Sequence, residues 1–176
     1  MSGEESQHAE WVRAAVDRFS GLLLRYAQLI TGDIERARDV VQDTFLRLCD
    51  ETPERIEPRL AQWLYTVCRN RALDIQRKQR KTKSLEQAEM DSQVSPDLSP
   101  AAQVERNDTH NEMLDLLARL PKNQIEVVRL KFQHGLSYRE ISTVTGLSES
   151  NVGFLIHTAL KTLRQQMKPE LPERRP

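Results

Sequence analysis

This sequence predicts an all-α chain: two small helical domains joined by a flexible linker. Three observations carry that prediction. Apolar residues recur at spacings of three and four along most of the chain, which is the helical period. Nowhere do apolar and polar residues alternate as in a half-buried strand. Residues 84–104, SLEQAEMDSQVSPDLSPAAQV, lose the period and collect two prolines and several carboxylates, the composition of a tether. The length of 176 residues suits one domain or two small ones. With aromatics at 5% and charged residues at 30%, a core must come mainly from Leu, Val, Ile and Ala, which favours helices.

Trp11, Ala15, Phe19, Leu22, Leu23, Tyr26, Leu29 and Ile30 form the inner stripe of a first helix, which Gly32 stops in the manner of a C-terminal cap. Asp33 then caps a second, with Ile34, Ala37, Val40, Val41, Thr44, Phe45 and Leu48 facing inward. Asp39, Gln42, Asp43, Leu46 and Arg47 occupy its opposite face. The prolines of ETPERIEPRL predict a loop. A third helix restarts near Leu60, buries Leu64, Val67, Cys68, Ala72 and Ile75, and ends in the basic run RKQRKTK. Beyond the tether the period returns in Met113, Leu114, Leu116, Leu117 and Leu120, then in Ile125, Val127, Val128 and Phe132.

The net charge of zero hides an alternation. Residues 1–60 carry −4, 61–83 carry +6, 84–112 carry −6 and 113–176 carry +4. A compact basic segment beside an acidic one implies a local electrostatic site rather than a surface that coats DNA uniformly. No stretch approaches the roughly 18 apolar residues that span a bilayer, and MSGEESQHAEW does not read as a signal peptide. A cytoplasmic location without membrane insertion is expected. Cys49 and Cys68 form no CxxC pair and read as core or half-buried thiols, and no metal or cofactor is expected. A phosphate-binding glycine loop, HExxH and a nucleophile elbow are all missing, and the four histidines are scattered, which argues against an enzyme.

Near the C-terminus, Ser137 and Glu140 have the spacing of a capping box. Ile141 and Val144 continue that helix inward, Gly146 supplies a left-handed turn, and Ser148 offers a second cap. Val152, Leu155, Ile156, Ala159, Leu160 and Leu163 are the stripe of the following helix. Two helices about a glycine turn are either a helix-turn-helix or a plain helical hairpin. On the first reading Ser148, Glu149, Ser150, Asn151, Gly153, Phe154, His157, Thr158 and Lys161 face the DNA major groove or its phosphates.

The segment LPKNQIEVVRLKFQHGLSYREISTVTGLSESNVGFLIHTALKTLR resembles region 4 of bacterial RNA polymerase sigma factors. GDIERARDVVQDTFLRL and LAQWLYTVCRNRALDIQRKQRK resemble region 2 of the same family, in the order found in its small extracytoplasmic-function (ECF) group. The resemblance implies region 2 at 10–83, an acidic linker at 84–109 and region 4 at 110–168. It also implies that Asp39, Gln42, Asp43, Phe45 and Leu46 dock on the clamp coiled coil of the largest subunit of core polymerase. Trp63, Thr66, Asn70, Asp74 and Arg77 share one face of the third helix, which in the family recognises the minus-ten element as single-stranded DNA. Trp63 either stacks on a base, as Tyr65 would, or packs between helices. Arg69, Arg71, Arg77, Lys78, Arg80, Lys81 and Lys83 would meet phosphates, and region 4 would read the minus-thirty-five element. In the family the linker threads toward the active centre, and an anti-sigma factor often covers the helical faces.

Many members carry Lys or Arg where this chain has Gly153, Phe154, Leu155 and Thr158. Without a bidentate Arg–guanine contact, worth roughly 1–3 kcal/mol of discrimination, the last domain is expected to bind poorly alone. The competing expectation is a stand-alone helix-turn-helix regulator that needs no polymerase.

Overall fold

The computed structural model describes the backbone of residues 2–89 and 119–167, and the side chains of 5–81 and 119–167. The chain divides into two units, each treated by itself. Among the described residues there is no strand.

The first unit opens with α1, Ser2–Thr31, and α2, Ile34–Cys49. The break between them is built locally. The Thr31 hydroxyl donates to the Ala27 carbonyl at 3.0 Å, and Gly32 takes φ +71°, a conformation that only glycine adopts without strain. Asp33 then accepts from the Arg36 amide at 2.8 Å and caps α2. The expected loop is instead two tight helical turns, α3 over Pro53–Ile56 and a 3₁₀ turn over Glu57–Arg59. Pro53 and Pro58 sit at first-turn positions, where their missing amides cost nothing, so here proline starts helices rather than ending them. Ile56 on α3 is fully buried, which anchors the turn.

From Leu60 the chain enters α4, Leu60–Glu89, which runs through residues 84–89 that the sequence placed in the linker. Helices α1, α2 and α4 pack against one another. Their core is Phe19, Leu23, Tyr26 and Ala27 from α1, Ala37, Val40, Thr44 and Leu48 from α2, and Leu64, Tyr65, Cys68 and Ala72 from α4. Burying each large apolar side chain stabilises by about 1.5–3 kcal/mol. Thr44, buried among them, satisfies its hydroxyl on the Val40 carbonyl at 2.7 Å. Tyr26 and Tyr65 meet edge to face at 5.2 Å. Burial pushes the Cys68 thiol up to about 12, which leaves it inert at neutral pH. Cys49 is exposed at the end of α2, against expectation. The His8 ring bonds the Cys49 carbonyl at 3.1 Å, so α1 ties down the C-terminus of α2.

The second unit contains α5, Lys122–Val128, followed by a π-helical turn, Arg129–Gln133. There the His134 amide reaches five residues back to the Arg129 carbonyl at 3.2 Å. The wider turn breaks the three-and-four register. Phe132, expected inside four residues after the buried Val128, is 61% exposed, and Leu130 and Leu136 fill the core in its place. Next come α6, Tyr138–Thr145, and α7, Glu149–Gln166. The apolar residues Met113 to Leu117 and most of the expected linker lie outside the described residues.

The capping box at the start of α6 forms as its spacing predicts. The Ser137 amide donates to the Glu140 carboxylate at 2.7 Å, and the Glu140 amide donates back to the Ser137 hydroxyl at 3.3 Å. The hydrogen bonds from Ser137, followed by the charge of Lys131, hold the Glu140 carboxyl below its ordinary range. A carboxyl lowered in the folded state stabilises fully above its unfolded pKa, and that support is lost as pH falls through the folded value. Ser137→Ala is therefore expected to weaken the first turn of α6 by about 1 kcal/mol at neutral pH, and by somewhat less in acid, where the hydroxyl's bond to the Glu140 carboxylate is already lost while its bond from the Glu140 amide remains. Amide hydrogen exchange at residues 138–141 measures it; unchanged exchange there at neutral pH would contradict the cap.

Candidate polymerase and nucleic-acid interfaces

Three surfaces carry the residues singled out from sequence. On α2, Asp39, Gln42 and Leu46 share the outward face and are exposed, with Leu46 at 57%. A leucine left in water on a polar face is the kind of anchor that protein interfaces bury. Phe45 does not join them. It lies about 100° from the inner line of Thr44 and Leu48, is half-buried like Val41, and helps wall a groove of about 380 Å³ between α1 and α2. Gln42 borders the same groove, whose other walls include Val16, Gly21 and Leu24.

Asp43 has a partner inside the unit. Arg71 Nε on α4 donates to its Oδ2 at 2.5 Å, with both side chains about one-third exposed. Arg71, expected against phosphate, instead ties α4 to α2. A charged partner within hydrogen-bond distance outweighs the pull of water on a half-exposed guanidinium.

Along α4, positions 63, 66, 70, 74 and 77 return to one side of the helix. Asn70, Asp74 and Arg77 are exposed, and Trp63 is half-buried. Thr66 donates its hydroxyl to the Gln62 carbonyl at 2.8 Å, which leaves it as an acceptor toward solvent. Tyr65 is fully buried against Tyr26, so it cannot stack on a base, and Trp63 is the aromatic on α4 with surface to offer. One turn on, Arg77 and Asp74 pair at 3.5 Å. Both remain exposed, so the pair is worth well under 1 kcal/mol; it offsets the one carboxylate on an otherwise cationic face. Lys78, Arg80 and Lys81 extend that face outward. The side chain of Lys83 lies outside the described residues.

The third surface is the outer side of α7. Ser148 caps the helix by accepting from the Asn151 amide at 3.3 Å, and Gly146 takes φ +76° in the preceding turn. The Ser142 hydroxyl fastens the turn through the Leu147 carbonyl at 2.6 Å. With Val152, Leu155, Ile156 and Ala159 buried, the helix period places Ser148, Glu149, Ser150, Asn151, Phe154, His157 and Lys161 in solvent. Thr158 is half-buried at the edge, accepting from the Thr162 hydroxyl at 3.1 Å. Gly153 lies under the ring of Tyr138, whose Cε2 stands 3.5 Å from where a β-carbon would be. Above that ring, 5.4 Å from its centre, sits Lys131 Nζ. The sequence reading gave Lys131 and Tyr138 no role. The signal available was a basic residue in the apolar run and an aromatic directly after the Ser137 cap, but only the fold brings them beside Gly153.

The two parts of the chain match known families in the same order. Residues 15–82 match Sigma-70 region 2, and residues 110–163 match Sigma-70 region 4. The ECF RNA polymerase sigma factor SigL of Mycobacterium tuberculosis is 34% identical over 173 aligned positions, which cover 93% of each chain. The chain belongs to the ECF RNA polymerase sigma factors. A solved structure of CnrH, in complex with the cytosolic domain of CnrY, is 26% identical to this sigma factor. It covers 94% of this chain and 90% of its own, at a TM-score of 0.55. The sigma factor RpoE of Bartonella quintana, solved with the anti-sigma factor NepR, shares the fold at 20% identity and a TM-score of 0.61, over 90% of this chain and 97% of its own. As a sigma factor, the protein binds core polymerase and promoter DNA and directs promoter-specific transcription initiation. A stand-alone regulator is not favoured, because a helix-turn-helix alone would leave the region 2 match without a purpose. No described helix is long and apolar enough to cross a membrane.

Proposed function

We propose that the two units divide the work of initiation. The unit at 10–83 docks on the clamp coiled coil of the polymerase through Asp39, Gln42 and Leu46, with Phe45 in the adjoining groove and Asp43 at the edge. The same unit engages the minus-ten element through α4. A base taken out of the stack needs both a donor and an acceptor at its edge, and Asn70 supplies both; Trp63 offers the stacking surface. Arg77, Lys78 and Arg80 hold the adjoining phosphates, with Asp74 orienting Arg77. The unit at 110–168 reads the minus-thirty-five element through α7, and the acidic segment at 84–109 joins them along the path of the transcript.

The observation that carries this division is spatial. On one helical unit the apolar exposed residue stands on α2, and the asparagine with its cations stands on α4. One face thus suits a protein, the other a nucleic acid. The protein acts in the cytoplasm with the polymerase and catalyses no reaction of its own. An inhibitory partner would compete for the same faces, a reading supported by the similarity to CnrH in its complex with the cytosolic domain of CnrY.

The test is a promoter library incubated with the purified chain, with and without core polymerase. Selection and transcription only in the presence of core support the proposal; tight, selective binding of duplex DNA by the chain alone would refute it. If about four of the cations on α4 engage phosphates, the logarithm of promoter affinity falls with the logarithm of salt at a slope on the order of −3 to −4 from this unit. Replacing Lys78 and Arg80 with Ala is expected to flatten the overall slope by about two, as read from holoenzyme titrations across a salt series.

A further inference from the structure

Phe154 is the largest apolar side chain on the outer face of α7, and at 65% it is more exposed than any other large apolar residue described. The helix period fixes its direction. Val152, Leu155, Ile156 and Ala159 are all buried, so the ring points away from the second unit and contributes little to its packing. Its surroundings are small or neutral. Asn151 stands one turn before it, and Thr158 one turn after, half-buried. On its flank, Gly153 has no side chain, and Tyr138 fills the space beside it. From Glu149 to Thr158 no arginine or lysine occurs, so no guanidinium or ammonium on this stretch can take a guanine edge, and exposed His157 is the one ring donor there. The positive charge arrives from other places, Lys131 above the Tyr138 ring and Lys161 one turn beyond Thr158.

A helix face lying in the major groove with a phenyl ring at its centre has one apolar group of any size to meet among the four base edges, the C5-methyl of thymine. The remaining groups are hydrogen-bond donors and acceptors, apart from the cytosine C5–H, which lacks the methyl that would fill the contact. The ring would desolvate a donor or acceptor without compensation. We infer that Phe154 is a specificity-determining residue of the upstream promoter element, and that it selects thymine by contact with its methyl group. The inference rests on the reading of α7 as the DNA-contacting helix. It replaces the missing arginine–guanine contact with an apolar one, weaker but still selective.

The experiment uses holoenzyme reconstituted from the full chain and core polymerase, on a promoter chosen from a random library. Each thymine of the upstream element is replaced in turn by deoxyuridine, which removes the methyl and nothing else. At one position the wild-type holoenzyme is expected to lose about fourfold in affinity, the effect of one buried methyl group. Phe154→Ser is expected to be indifferent to the swap at that position, and Phe154→Leu to keep part of the preference. Because the ring is exposed, neither change should disturb folding, which melting curves check. An upstream element without thymine, or deoxyuridine tolerated everywhere by wild type, overturns the inference. So does Phe154→Ser retaining the wild-type response, or losing affinity for core polymerase instead. Asn151→Ala and Lys161→Ala separate the two levels. If both leave upstream binding unchanged, the reading of α7 as the DNA helix fails; if they weaken it while deoxyuridine has no effect, only the role of Phe154 fails.

Discussion

Leu46→Asp is expected to weaken binding to core polymerase by at least about thirtyfold, the loss typical of a buried interface anchor. The chain itself should fold as before. Leu46 is 57% exposed on the outward face of α2 and contributes little to the packing of α1, α2 and α4. In the complex, an aspartate at its place would bury an unpaired charge. A labelled chain titrated with core polymerase measures the first expectation, and a thermal melt followed by circular dichroism measures the second. Unchanged affinity would remove the outer face of α2 from the docking surface. Asp43→Arg is a less clean probe, because Asp43 pairs with Arg71 at 2.5 Å. That change would set two cations together between α2 and α4, and any loss of binding would mix docking with stability.

Asn70→Ala is expected to slow promoter opening by about 10- to 100-fold, the cost of leaving one or two polar groups of a base edge unsatisfied at about 1–3 kcal/mol in total. Affinity for core polymerase should stay within about twofold of wild type, since Asn70 lies on α4 and the proposed docking residues lie on α2. Permanganate reactivity of thymines in the melted segment reports opening, and the polymerase titration serves as the control. Equal losses in both assays would mean that Asn70 acts through the fold or through docking, and the assignment of a base contact would fall. Its exposure argues in advance against a structural cause.

Much of this was legible along the chain because it depends on near neighbours. A capping box needs only Ser137 and Glu140 three residues apart, and it closes with bonds of 2.7 and 3.3 Å. The Gly146 turn, the caps at Asp33 and Ser148, and the buried stripes of α2 and α7 follow from the same short-range rules. Where the local rule has two outcomes, the packing around the segment decides between them. Proline both breaks helices and starts them, and in Pro53–Ile56 and Glu57–Arg59 it starts them. A three-and-four pattern assumes an unbroken α-helix, and the π-helical turn at Arg129–Gln133 carries Phe132 into solvent.

The amino-acid order by itself determined the helical class, the division into two units, the caps at Asp33, Ser137 and Ser148 and the family to which both units belong. These properties are set by the repeat of apolar residues and by hydrogen bonds that span three or four positions. Tertiary structure alone decided which of the marked side chains are available. It buried Tyr65 and left Trp63 half open, spent Arg71 on Asp43, and set Tyr138 and Lys131 beside Gly153 so that Phe154 stands clear. Each of these outcomes joins residues from different helices, and pairing across helices depends on how their faces rotate against one another in the core, which no local pattern records.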